Sequence, residues 1–264
     1  SQRQTARRNA TFSALYGCIS EFMLDHSAFI ITYIALLNGS NMFSMLSAAM
    51  GGLASVFLLI PLANLNEKFG LRRAVRVTCS IGFAAFLLMA SAPFWGQYAC
   101  QIVILAAFVF HFARPMYINS WYPLLDNFLL PGERTGFFVK MRFLYMLENL
   151  LLFTLLGFII GKNPPIWLYQ LIIAITAVTI LGRTYYIDRL PEEKKLTEKK
   201  YDFVTAFRKV IRNRSLTGFS VYVCFVTLFY TALVPLTFIY LKSHFELAPS
   251  RVVSISGLVM SGST

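Results

Sequence analysis

Acidic residues are scarce in this chain. Twelve Asp and Glu stand against 24 Lys and Arg, a formal net charge of +12, and charged residues of either sign reach only 14% of the 264 positions. A soluble domain carries about 25% charged residues, so 57% hydrophobic and 16% aromatic content with a mean hydropathy of +0.61 excludes an ordinary globular surface. The four cysteines (Cys18, Cys79, Cys100, Cys224) lie apart inside apolar stretches with no CxxC spacing, which argues against a disulfide framework or a thiolate metal site. No HExxH, nucleophile elbow or other catalytic spacing accompanies the three histidines, and no cofactor or metal is expected. A cleavable signal peptide is also missing: the first apolar run is too long for one and lacks a small-residue cleavage site.

What the chain has instead is long apolar runs: Ala10 to Leu37, Phe43 to Ala63, Val75 to Ala92, Tyr98 to Tyr122, Phe137 to Ile160, Ile166 to Ile187 and Leu216 to Leu241. Each approaches or exceeds the roughly 20 helical residues that cross a hydrocarbon core about 30 Å thick. The joins alternate. The N-terminus (Arg3, Arg7, Arg8), the second-to-third join (Lys68, Arg72, Arg73, Arg76), the fourth-to-fifth (Arg134, Lys140, Arg142) and the long segment after the sixth run are basic, while the others are nearly bare. Because Lys and Arg stay on the cytoplasmic side, this bias predicts a polytopic membrane protein with its N-terminus inside, in the cell membrane. The positive charge then reads as topology and anionic-lipid contact rather than nucleic-acid binding. The chain starts at Ser1 and stops about ten residues into an eighth run beginning near Val252, so it reads as a fragment.

Three regions are predicted: a six-helix bundle over 1–187, a cytoplasmic linker over 188–214, and the first part of a second bundle over 215–264. The linker opens with a solvated mixed-charge run from Pro191 to Lys200. Phe203, Val204, Phe207, Val210 and Ile211 then recur at helical spacing, which fits either a helix on the inner membrane surface or a soluble helix packed on the loops. Asn38 and Gly39 precede Ser40 in a sequon, but the join is too short to favour glycosylation and the pair reads as a tight turn. Trp95, Tyr98, Trp121, Tyr122, Trp167 and Tyr169 lie near run ends and read as interface anchors.

Six helices, a charged linker and a seventh helix resemble the major facilitator superfamily, an all-α polytopic bundle of two six-helix halves. The second-to-third join makes the likeness specific. The family pattern G-x-x-x-D-[RK]-x-G-[RK]-[RK] falls on Ala63 to Arg72, where Lys68, Gly70 and Arg72 match, Glu67 and Ala63 stand in conservatively, and Leu71 departs; Arg73 follows. Pro131, Glu133, Arg134 and Gly136 are similar to the family's turn between helices four and five. The resemblance implies that Glu67, Lys68, Gly70, Arg72, Arg73, Glu133 and Arg134 form a cytoplasmic gate, with ionic contacts from Glu133 and Arg134 to Glu67, Lys68 or Arg72. Neither the R-x-x-Q-G of drug/proton antiporters nor the E-x-x-E-R of peptide transporters is present.

Substrate chemistry must come from polar groups inside the runs, where a charge at mid-membrane costs roughly 2.5–3.5 kcal/mol and needs compensation. The first run carries Glu21, Asp25 and His26, the fourth His111 and Arg114, the fifth Glu148; the third and sixth have no charge near their middles. Gly17, Glu21, Asp25 and Ala28 share a helix stripe, so two carboxyls one turn apart face one interior and one of them tends to keep a proton. Glu21 also lies near enough to the basic side to be hydrated. His111, Arg114 and Trp121 share another stripe, which Pro115 is positioned to bend. Arg114 is expected either to neutralise Asp25 or Glu148 or to fork onto an anionic solute. The two histidines are more ordinarily satisfied core groups.

These features predict a secondary transporter of a small organic solute, working by alternating access with protons as the coupling ion. Symport and antiport, including drug or metabolite efflux, stay open. A membrane-embedded enzyme and a receptor or scaffold of the same fold are the alternatives from other classes.

Overall fold

The computed structural model describes residues 2–24, 28–191 and 212–262, apart from certain side chains in the third and eighth helices, among them Glu67, Lys68, Cys224 and Tyr230. Asp25, His26 and the periodic linker segment from Phe203 to Ile211 lie outside the described residues.

Among the described residues each apolar run is helical. Helix α1 spans Gln2–Leu24, α2 Ala28–Leu36, α3 Asn41–Phe69, α4 Leu71–Ala90, α5 Ala99–Asp126, α6 Pro131–Ile160, α7 Ile166–Ile187, α8 Arg214–His244 and α9 Pro249–Gly262, with a 3₁₀ segment at Ala92–Tyr98. No strand occurs among the described residues. By length and composition α4, the joined segment Ala92–Asp126, α6 and α7 suffice to cross a membrane; α1 and α2, bent by 50°, make a fifth span when taken together. At about 1.5 Å per residue, the 29 residues of α3 and 31 of α8 reach well beyond a hydrocarbon core. Several helices extend past the apolar runs at their basic ends, α1 from Gln2 and α6 from Pro131.

The joins follow turn chemistry. Asn38 takes φ 59°, and Gly39 passes so close to Ile34 and Cys100 that a Cβ would lie 2.5 Å from Ile34 Cγ2. Gly70, with φ 86°, makes the single-residue break between α3 and α4 that an L side chain resists. Pro131 opens α6, where a missing N–H costs nothing, and Glu133 Oε2 accepts from the Leu130 N–H at 3.3 Å.

Without water to drive apolar faces together, the helices are joined by small residues and buried polar contacts. Asn66 of α3 donates through Nδ2 to the Met116 carbonyl (2.6 Å) and to Ser120 Oγ (2.9 Å) of α5. Thr78 of α4 reaches the Ala113 carbonyl of α5 at 3.3 Å. On α7, the Tyr169 hydroxyl donates to Thr32 Oγ1 of α2 (2.9 Å), and its ring lies against Phe29 and Tyr33. Gly157 of α6 faces Ser254 of α9 with no room for a Cβ, and Gly257 meets Phe153 likewise, so the last helix is seated on the sixth. The apolar rows that face outward, Phe143, Leu147, Leu151, Leu155 and Phe158 on α6 and Leu171, Ile175 and Val178 on α7, are spaced for lipid contact.

Two expected interface anchors are corrected here. Trp95, Tyr98, Tyr122 and Trp167 are exposed, but Tyr169 and Trp121 are buried. Their positions near run ends resemble those of anchors, yet both turn inward: Tyr169 finds a hydroxyl partner and Trp121 stacks on Tyr117 with ring centroids 5.7 Å apart.

Candidate functional site

One carboxylate and two guanidiniums meet where α1, α5 and α7 converge. Arg183 Nη2 of α7 donates to Glu21 Oε1 at 2.6 Å, and Arg114 Nη2 of α5 donates to Glu21 Oε2 at 3.3 Å. The two bonds differ in kind. A charge-assisted N–H···O bond is typically about 2.7–2.9 Å, so the Arg183 bond is tight and the Arg114 bond long. Side-chain exposure follows the same order, 8% for Arg183, 19% for Glu21 and 23% for Arg114.

The fold is built around Arg183. A Cβ on Gly17 would stand 1.5 Å from its Nε, so glycine on α1 makes the space for the guanidinium. Tyr117 of α5 supplies the opposite wall, with the Arg183 Cζ 3.9 Å from the ring centroid, a cation–π contact in a low-dielectric setting. Ser13 Oγ donates to the Arg183 carbonyl at 3.2 Å and fixes the α1–α7 register. Beside the three charged groups lies a cavity of about 10 Å³, bordered also by Ser20, Thr78, Gly82, Phe110 and Tyr117. That volume accommodates about one water.

Glu148 of α6 is half-buried. Its Oε2 is enclosed without a hydrogen-bond partner among the described residues. His111 is buried edge-on to Phe110 and does not border the cavity. Asp25 and His26 fall outside the described residues. The structure therefore brings together Glu21 and Arg114 of the expected set and adds Arg183, while Glu148 does not border the cavity. Arg114 was expected on Asp25 or Glu148; among the described residues it meets Glu21, and Asp25 lies outside them.

Sequence reasoning passed over Arg183 because it stands near the end of the sixth run, and only charges near the middles of the runs were weighed. Side chains lean toward the N-terminus of their own helix. In α7 that direction leads away from the basic rim and deeper into the bundle, while Glu21 on antiparallel α1 leans back to meet it. The available signal was Gly182 and Arg183 placed before Thr184 and still inside the apolar run, with Gly17 opposite. Thr78 and Gly82 of α4 and Arg183 of α7 border the site as well, although the third and sixth runs have no charge near their middles.

At the rim, Arg72 Nη2 donates to the Leu190 carbonyl and Arg76 pairs with Asp188 at 2.9 Å, so the join after α3 holds the end of α7. Glu133 pairs with Arg7 of α1 and Arg134 with Asp126 of α5, the latter at 2.9 Å. Arg73 is exposed. Among the described residues Arg72 meets the Leu190 carbonyl, Glu133 meets Arg7 and Arg134 meets Asp126; the expected contacts with Glu67 and Lys68 fall on side chains outside the described residues.

No curated protein matches the chain. The profile of the Major Facilitator Superfamily matches residues 12–264, nearly the whole sequence, on a helical bundle with a charged interior node. The chain belongs to the major facilitator superfamily, a family of membrane transporters of small solutes, and is an integral multi-pass membrane protein.

Proposed function

We propose that this protein is a secondary active transporter that moves a small organic solute by alternating access, coupled to protons, with its N-terminus on the cytoplasmic side. The observation that supports this most directly is the Glu21–Arg114–Arg183 node inside the bundle. Charges so placed are costly, and their retention favours a functional over an ornamental role. Among the described residues two guanidiniums meet one carboxylate here, and Glu148 and Asp25 add titratable groups for a proton. In this reading Asp25 carries the coupled proton, Arg114 engages the solute or its counter-carboxylate, and Glu148 tunes the field between them. His111 and His26 are secondary candidates for the proton path. Glu67, Lys68, Gly70, Arg72, Arg73, Glu133 and Arg134 govern the exchange of states at the inner face.

The test is uptake of candidate solutes into proteoliposomes holding the full-length protein under an imposed pH gradient. Accumulation that a protonophore collapses is expected, and Asp25→Asn is expected to abolish uphill accumulation while leaving solute exchange. Uphill uptake that ignores the pH gradient would overturn the coupling. Cysteine labelling at position 195 from outside intact cells would overturn the orientation.

A further inference from the structure

We infer that the outer seam between α4 and α7 binds an anionic phospholipid, whose phosphate is held by Arg73, Arg76 and Arg189 at the basic end. The two helices run side by side in a fixed antiparallel register. Arg72 Nη2 donates to the Leu190 carbonyl, Arg76 pairs with Asp188 at 2.9 Å, Gly82 lies against Ile180, and Gln170 Nε2 donates to the Ala90 carbonyl at 2.9 Å. This register sets Arg73 near the level of Arg189, Val77 near Tyr185, Ser80 near Leu181 and Ala84 near Val178. All of these are exposed. They belong to two outward stripes at helical spacing, Arg73, Val77, Ser80, Ala84 and Leu87 on α4 and Leu171, Ile175, Val178, Leu181, Tyr185 and Arg189 on α7.

Each stripe is basic at one end and apolar along the rest. The Ser80 hydroxyl is satisfied, since it donates to the Arg76 carbonyl at 3.0 Å. Arg189 leans back along α7 with its Cζ 3.6 Å from the Tyr185 ring centroid, which carries its charge toward the apolar stripe. A surface so divided complements an amphiphile with an anionic head; a free anion would meet only the arginines. Among the described residues α8 and α9 pack on α2, α3 and α6, which leaves this seam to the bilayer. The segment after Pro191 carries Lys194, Lys195, Lys199 and Lys200 against Glu192, Glu193 and Glu198, so it brings no net negative charge to compete.

Thermal unfolding of the purified full-length protein in detergent tests this, with dioleoylphosphatidylglycerol titrated against dioleoylphosphatidylcholine, glycerol phosphate and inorganic phosphate. The anionic lipid should stabilise the protein at a concentration about tenfold or more below that of the zwitterionic one, and neither phosphate should replace it. Arg73→Gln and Arg189→Gln should each weaken the anionic lipid about fivefold. Arg3→Gln combined with Arg8→Gln removes two exposed charges from the start of α1 and should weaken it by less than about twofold. Equal stabilisation by the two lipids, or an effect that glycerol phosphate or inorganic phosphate reproduces, would overturn the inference. An equal loss in the Arg3 and Arg8 variant would also overturn it, since the contact would then be with basic charge at large. Binding in detergent reads neither transport nor orientation, so failure here leaves the transporter reading intact.

Discussion

The same chemistry occurs in two places in this molecule, and the surroundings make it into two different things. Inside the bundle, Glu21 joins Arg114 and Arg183 at side-chain exposures of 8–23%. At the rim, Arg7–Glu133, Arg76–Asp188 and Arg134–Asp126 pair the same groups at exposures of 36% or more. At an effective dielectric near 20, two unit charges about 4 Å apart interact by about 4 kcal/mol, against about 1 kcal/mol in water. A rim pair gives up little when broken, because water takes over each charge. The interior node has no such reserve, so its members depend on one another. A group that needs its partner this much is also one that a solute or a proton can move.

The largest expected effect is therefore the loss of one interior partner. Glu21→Ala leaves two facing guanidiniums and should destabilise the protein by about 3–5 kcal/mol, whereas Glu21→Gln combined with Arg183→Met should recover most of that loss. Denaturant unfolding in detergent would measure both; equal losses for single and double variants would show that the node is not an electrostatic unit. Next comes Gly17→Ala, whose Cβ would stand 1.5 Å from Arg183 Nε. Overpacking of this kind costs roughly 1–3 kcal/mol, while Gly52→Ala, where a Cβ meets nothing within 4 Å, should be neutral or gain about 1 kcal/mol in helix propensity. A neutral Gly17→Ala would mean that Arg183 readily takes another path.

Smaller again in stability, but visible in transport, is the rim hinge. Gly70→Val puts a β-branched residue at φ 86°, a strain of about 1–2 kcal/mol, and should slow transport more than it weakens solute binding, since it bears on the exchange of states. Binding and flux lost in proportion would reduce the turn to a folding element. The smallest effect is expected from Arg76→Ala, at most about 1 kcal/mol and diminished by salt. A larger, salt-resistant loss would erase the contrast between rim and interior.

Much of the fold was legible in the chain itself. The apolar runs become helices, and Gly70 and Asn38 take the positive φ expected of tight turns. These features are local: length, periodicity and backbone freedom are properties of neighbouring residues. The site was legible by halves. Glu21 and Arg114 stood out as costly charges in apolar runs, yet Arg183 was not singled out, and Tyr169 and Trp121 passed for interface anchors. For Arg183 and Tyr169 the deciding quantity was the direction of a long side chain relative to a helix far away in the chain.

The sequence by itself determined that this chain lives in a membrane, that its spans are helical and where they turn, because hydropathy and turn chemistry act over a few residues. Only the tertiary structure decided which charges face each other. That Glu21 serves two arginines, 93 and 162 positions away in the chain, depends on Gly17 and Tyr117 leaving one place where a guanidinium fits. Nothing in the order of residues along α7 says that α1 will present that space to it. Ion pairing in a low dielectric is settled by where helices pack, and packing is a property of the assembled bundle.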